Sequence, residues 1–385
     1  MDGKEEMVMR LRNDLVKIAM DRQGKSLCLV LAGTFAVSGM ATLAFAERAS
    51  REAPNSVVQS VEYAPNPELE GRLAIAGSTT MRPLLLRLAV EFRQLHPRVS
   101  IAVESAGSSE AIREFSLGIS GQRRGDKAKG DSGHDGAAQV DILASSRELT
   151  MDERGRFVSR FGYEPLAIPI ALDAVAIYVH KTNPVQGLTL TQLDSIFSST
   201  RNRGGQDITT WGQLGLEGMT DKPIHLYGRD KRSGTHDFFQ SVALDGGQVK
   251  ASVDEEPGSA SEILAIARDP LAIGYAGVGF EISEIRVVPL AAESGKSAIL
   301  PNADSVADRS YPLSRTLYLY VNHDRKSKFD PVILEFLTYV NSQAGQQAVV
   351  RAKAYPLPEG MIGKNLEVLN GATRTAFSPR LGAIR

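Results

Sequence analysis

Short apolar runs alternate along this chain with stretches in which apolar residues recur every three or four positions. Leu73-Ala74-Ile75-Ala76 predicts a buried strand. Met81, Leu84, Leu85, Leu88, Phe92 and Leu95 then fall at helical spacing, and Pro97 closes that helix. Residues 99–103 predict a second strand, 110–117 a second short helix, and 140–149 a third strand that ends in polar groups. Residues 166–179 form a long strand-like run, suited to crossing between two lobes, and residues 311–321 form another that would cross back. Helical periods return at 190–197, 261–268 and 331–340, whereas residues 357–385 show no clear period and read as a loosely attached tail. Strands alternating with helices place the chain in the α/β class.

Three of the strand-to-helix junctions share a chemistry. The clearest is Gly228-Arg229-Asp230-Lys231-Arg232-Ser233-Gly234-Thr235, which follows the apolar run 223–227 and precedes a helix beginning near His236. A strand, a glycine-bearing turn and a helix bring unpaired N–H groups and the helix dipole to one point, a geometry suited to anions. Ser233 and Thr235 add hydroxyls, Gly234 permits close backbone approach, and Arg229 supplies a planar charged fork. Gly77-Ser78-Thr79-Thr80 and Ala106-Gly107-Ser108-Ser109 repeat the pattern. One such turn reads equally well as an ordinary capped helix; three in one chain suggest convergence on one anion. Arg147, after the third strand, has two readings, an anion contact or a pair with a carboxylate such as Glu148.

Composition narrows the classes. The chain has 385 residues and a formal net charge of −1, enough for two lobes of ordinary size and without a general attraction for nucleic acid. Cys28 is the single cysteine, so no internal disulfide forms, and the six histidines are scattered without metal-ligand spacing. Residues 273–280 are glycine-rich but lack the order of a dinucleotide fingerprint. Gly130-Asp131-Ser132-Gly133 lies in a glycine-rich, charged segment, 118–138, expected to be a mobile surface insert, which would not hold a nucleophile rigidly. Ser233 and His236 form a local serine–histidine pair, but helix capping explains them better, and Trp211 reads as a packing anchor. Neither a catalytic residue, a cofactor nor a metal is expected. At the N-terminus, Arg22 and Lys25, an apolar core from Leu27 and a closing Ala44-Phe45-Ala46 predict either a secretory signal cleaved after Ala46 or an uncleaved single-span anchor. Both readings carry the body out of the cytoplasm. Residues 47–70, polar and bearing Pro54, Pro65 and Pro67, read as a linker.

Taken in order, Gly77-Ser78-Thr79-Thr80, Gly107-Ser108-Ser109, the run 140–147, Arg229 with Ser233-Gly234-Thr235, Ile273-Gly274-Tyr275 and the run 311–315 resemble the PstS-like phosphate-binding proteins of bacterial ABC importers, over roughly residues 71–350. The resemblance implies a two-lobed, type II periplasmic-binding-protein fold whose lobes are joined by two crossing strands, with the ligand between them. Lobe one would hold 71–165 with the insert 118–138, lobe two 166–310, and 311–385 would return to lobe one and end in the tail. It implies inorganic phosphate as ligand, a membrane permease as partner, no nucleic acid, a monomer, and a periplasmic or extracytoplasmic location. Thr79, Thr80, Ser108, Ser146, Arg147, Arg229, Ser233, Gly234 and Thr235 would contact the anion. One departure matters: members of the family carry an aspartate near the end of the third strand that accepts a hydrogen bond from the protonated phosphate, and Ser146 followed by Arg147 stands there. A carboxylate rejects a fully ionised anion; without it the exclusion of sulfate is open. The alternatives are a binding protein for sulfate, molybdate or tungstate, and a phosphate sensor or scaffold without a transport role.

Overall fold

The computed structural model describes residues 62–118 and 140–374. The first strands are short and half apolar, and they assemble side by side. Strand β1 (Gly71–Gly77) lies between β2 (Val99–Glu104) and β3 (Ile142–Ser145), parallel to both. Helix α1 (Arg82–Leu95) starts with a proline in its first turn and turns Leu84, Leu85, Leu88 and Phe92 onto this sheet. Helix α2 (Ser108–Leu117) follows β2, and α3 (Met151–Phe161) follows β3 behind a capping box made by Thr150 and Glu153. Two later helices, α8 (Pro331–Val340) and α9 (Gln343–Arg351), come back to the same core.

Strand β4 (Leu166–His180) runs fifteen residues and is almost wholly buried. Its first half, through Ala171, belongs to the core beneath α1; from Leu172 to Val179 it belongs to a second core. Around that second half lie β8 (Ala272–Gly277) and β9 (Ile285–Val288), both antiparallel to β4, and then β6 (His225–Arg229) and β7 (Val253–Glu256), parallel to each other. Helices α4 (Leu190–Phe197), α5 (Gly234–Phe238) and α6 (Ser259–Arg268) pack in this half, as do a two-stranded ribbon of β5 (Leu188–Thr189) with β10 (Leu290–Ala291) and the short α7 (Ala303–Ala307). Strand β11 (Ser314–Val321) brings the chain back between β3 and β4, antiparallel to both. Tyr311 and Leu313 just before it sit in the second core, Leu317 and Leu319 within it in the first. Two long strands thus join two cores, and the strand-to-helix turns of both halves face the junction. Trp211 is fully buried in the second core with its indole N–H on the Leu271 carbonyl, as a packing anchor should be.

The structure corrects two expectations. Residues 359–374 are not a loose tail but helix α10 (Glu359–Arg374), with Ile362 and Leu369 buried. Ile362, Leu366 and Leu369 do keep helical spacing, but Gly360, Gly363 and Gly371 mask the period. The presumed linker also ends early: the Tyr63 hydroxyl lies 2.6 Å from His96 Nε2 and donates to Glu335 at 2.7 Å, and Leu69 is buried. The signal or anchor segment 1–46, the linker up to residue 61, the insert beyond Gly118 with its Gly130–Gly133 motif, and residues 375–385 lie outside the described residues. Among the described residues no helix is long and apolar enough to cross a membrane.

Candidate functional site

The three glycine–hydroxyl turns meet. From the first half come Thr79 and Thr80 after β1, Ser108 at the start of α2 and Ser146 after β3; from the second come Arg229 at the end of β6 and Ser233, Gly234 and Thr235 at the start of α5. The Thr80 hydroxyl is 2.9 Å from that of Thr235 and 3.5 Å from that of Ser259. Ser108 and Ser146 hydroxyls are 3.2 Å apart, and the Ser146 N–H donates to Ser108 Oγ. Glycine is required at two of the contacts. A Cβ on Gly234 would stand 2.7 Å from Ser108 Oγ and 2.9 Å from Ser146 Oγ, and one on Gly107, whose φ is +113°, would stand 2.3 Å from the Arg232 carbonyl oxygen.

Arg229 spans this cluster and is 1% exposed. Its Nη2 donates to Thr79 Oγ1 at 2.9 Å and to the Pro257 carbonyl at 2.9 Å; Nη1 donates to Ser259 Oγ at 3.0 Å and Nε to the Glu256 carbonyl at 3.2 Å. Backbone carbonyls thus aim the fork, and its charge stays in the cluster. Burial lowers its pKa, yet a guanidinium remains charged in proteins. Ser233 accepts the Thr235 and His236 N–H groups, and His236 Nδ1 sits 3.0 Å from the Arg229 carbonyl. Ser233 is a helix cap, and the His236 ring turns to the Arg229 carbonyl and not to the serine hydroxyl.

Arg147 is not brought to this cluster. Its fork lies on Glu153, at 2.8 Å from each carboxylate oxygen, and its Nε donates to Asp237 at 3.0 Å. Of its two readings the structure takes the carboxylate pair, with Glu153 and Asp237 as partners in place of the Glu148 side chain, because α3 presents Glu153 six residues away and α5 presents Asp237 from the other half.

Three groups not among the expected contacts complete the surroundings. Ser259, at the start of α6, has been placed above. Arg315, 4% exposed, donates through Nη1 to Thr235 Oγ1 at 3.1 Å and through Nε to Asp173 at 2.8 Å. The pair sits in register on β11 and β4. The sequence carries a signal for it: Asp173 and Arg315 are each the single charge in an otherwise uncharged strand run, 166–179 and 311–321. Beside Arg315 opens a cavity of about 350 Å³ lined by Phe238, Thr316 and Tyr318 among others.

Glu262 is the third. It is fully buried under Arg229 on α6, and one carboxyl oxygen accepts the Tyr275 N–H at 2.8 Å. Burial pushes its carboxyl up to about 8, against the opposing pull of the Arg229 charge. The unfolded chain releases this proton near the ordinary 4.5, so between those values the folded state binds more protons and stability falls as pH rises. We therefore expect the melting temperature of the native chain to fall relative to that of Glu262→Gln from about pH 5 to about pH 8, with the gap constant above that. A thermal denaturation series against pH checks this; parallel curves for the two proteins would mean that Glu262 is not held neutral.

Comparison with known proteins gives the family and the fold. Residues 52–344 match the family described as "PBP superfamily domain". The chain is 37% identical over 310 residues to a protein of Pseudomonas aeruginosa named "Phosphate-binding protein PstS", covering 80% of this chain and 90% of that one. A Clostridium perfringens protein, described as a putative phosphate ABC transporter substrate-binding protein with bound phosphate, superposes with a TM-score of 0.58 at 25% identity, over 75% of this chain and all of that one. An ABC-type phosphate transport receptor from Vibrio cholerae shares the fold with a TM-score of 0.54 at 23% identity, over 74% of this chain and 100% of that chain.

Proposed function

The chain belongs to the PBP superfamily and is similar to its PstS phosphate-binding proteins; from that premise we propose that it captures inorganic phosphate between its two lobes and delivers it to the permease of an ABC importer. One observation carries this reading: a fully buried arginine of one half, Arg229, reaches the Thr79 hydroxyl of the other within a ring of hydroxyls. The Asp173 charge is answered by Arg315, and burial pushes the Glu262 carboxyl up to about 8, which favours its neutral form beside Arg229 at neutral pH, so that little of the Arg229 charge is answered within the cluster. The hydroxyl pairs that satisfy one another here are the donors that an oxyanion would take up. Thr79, Thr80, Ser108, Ser146, Arg229, Ser233, Gly234, Thr235 and, in addition, Ser259 and Arg315 form the proposed site. It binds and releases; it performs no turnover. Closure of the lobes is a population shift driven by ligand contacts to both. This role places the body outside the cytoplasm.

Selectivity follows from the same residues. None of the proposed contacts is a carboxylate, so the proton of hydrogen phosphate would hydrogen-bond to neutral oxygens, such as the hydroxyls of Ser108 and Ser146. A hydroxyl can turn to donate to a fully ionised anion, which a carboxylate cannot do. Calorimetric titration is therefore expected to show phosphate binding with sulfate as a weaker but measurable competitor. Heat from sulfate or molybdate alone would keep the site and change the ligand; no heat from any oxyanion would overturn the reading.

A further inference from the structure

We propose that Asp237 is a latch: by reaching across the cleft to Arg147 and Ser109 it holds the lobes together and sets how long the bound oxyanion stays. This rests on the phosphate-capture reading above and adds to it a part of the protein that touches no ligand.

Asp237 stands in the first turn of α5, on the second half. Its Oδ2 accepts from Ser109 Oγ at 2.5 Å and from Arg147 Nε at 3.0 Å, both on the first half, and Arg147 Nη2 lies 2.9 Å away. Glu153 grips the other edge of the Arg147 fork from within its own half, and the capping box of α3 in turn fixes Glu153. The guanidinium is therefore aimed at the cleft whether or not the lobes are closed. Opening costs Arg147 only one partner, whereas Asp237 loses both. Beside these contacts the Ser109 N–H donates to the Arg232 carbonyl at 3.0 Å, a second link between the halves.

The placement couples latch and ligand. Ser109 follows Ser108, Arg147 follows Ser146, and Asp237 lies two residues past Thr235. The latch therefore forms when the turns after β2, β3 and β6 stand where the proposed anion contacts need them. A contact made only in the closed form raises the closed population and slows release, while the encounter with the open form is unaffected. The Asp237 side chain is 32% exposed and that of Arg147 11%, so the pair is partly screened and its effect should be moderate.

Asp237→Asn is the direct test, because it removes the charge and leaves both lobes' cores untouched. Stopped-flow measurement with inorganic phosphate should show release faster by about fivefold, association changed by less than about twofold, and an unchanged melting temperature. Raising the salt concentration should speed release from the native protein toward that of the variant. Solution scattering should find the variant more open. Equal release rates and equal interlobe distances in the two proteins would overturn the latch. If the native chain binds no oxyanion, the capture reading fails by itself, and the scattering comparison still decides whether Asp237 holds the lobes together.

Discussion

Replacing Arg229 with alanine is expected to weaken phosphate binding by about 1.5–3 kcal/mol, roughly 10- to 150-fold in Kd, because a charge-assisted contact in a desolvated site is lost. The guanidinium is 1% exposed and bridges Thr79 of one half and Ser259 of the other, so its removal also takes away donors that hold the two turns in place. Lysine would keep the charge but not the planar fork that the Glu256 and Pro257 carbonyls orient, and it should recover only part of the affinity. Calorimetry on both variants checks this. Unchanged affinity of the alanine variant would remove Arg229, and with it the proposed site, from the account.

The second large effect is on stability. Asp173 and Arg315 are 2% and 4% exposed and joined at 2.8 Å. Burial drives the Asp173 carboxyl upward, and the Arg315 charge opposes that shift. Arg315→Met would leave a carboxylate buried without its partner, at a cost of about 3–5 kcal/mol. The double variant Asp173→Asn, Arg315→Met should be more stable than the single one, since it removes the unpaired charge as well. The single variant should also gain stability on acidification, because Asp173 can then take up a proton in the folded state. Denaturant titrations of the three proteins at two pH values test this. A single variant as stable as the native chain would show that the pair does not anchor the crossing strands. Because Arg315 also donates to Thr235, binding should suffer in every variant that lacks it.

Much of this architecture is legible in the sequence. The period of α1 and the apolar run of β4 locate those elements from local pattern alone, since burying one face of a helix or both faces of a strand leaves a periodic trace. The glycine–hydroxyl turns are legible for a similar reason: a helix start needs a cap, and a tight approach needs glycine. The helix α10 escapes because three glycines break its period, although tertiary packing of Ile362 and Leu369 suffices to hold it.

What the sequence by itself determined is therefore local: the elements, the three turns rich in hydroxyls, the arginine among them, and the order of motifs that marks the family. What only the tertiary structure decided is which groups answer one another across long separations. It put Asp237, ninety residues on, against Arg147, and so gave an expected anion contact a carboxylate partner instead. It set Arg315 on Asp173, 142 residues away, and it buried Glu262 beneath Arg229, which pushes its carboxyl up to about 8. Charge pairing depends on distance and desolvation in three dimensions, and neither quantity is written in the spacing of residues along the chain.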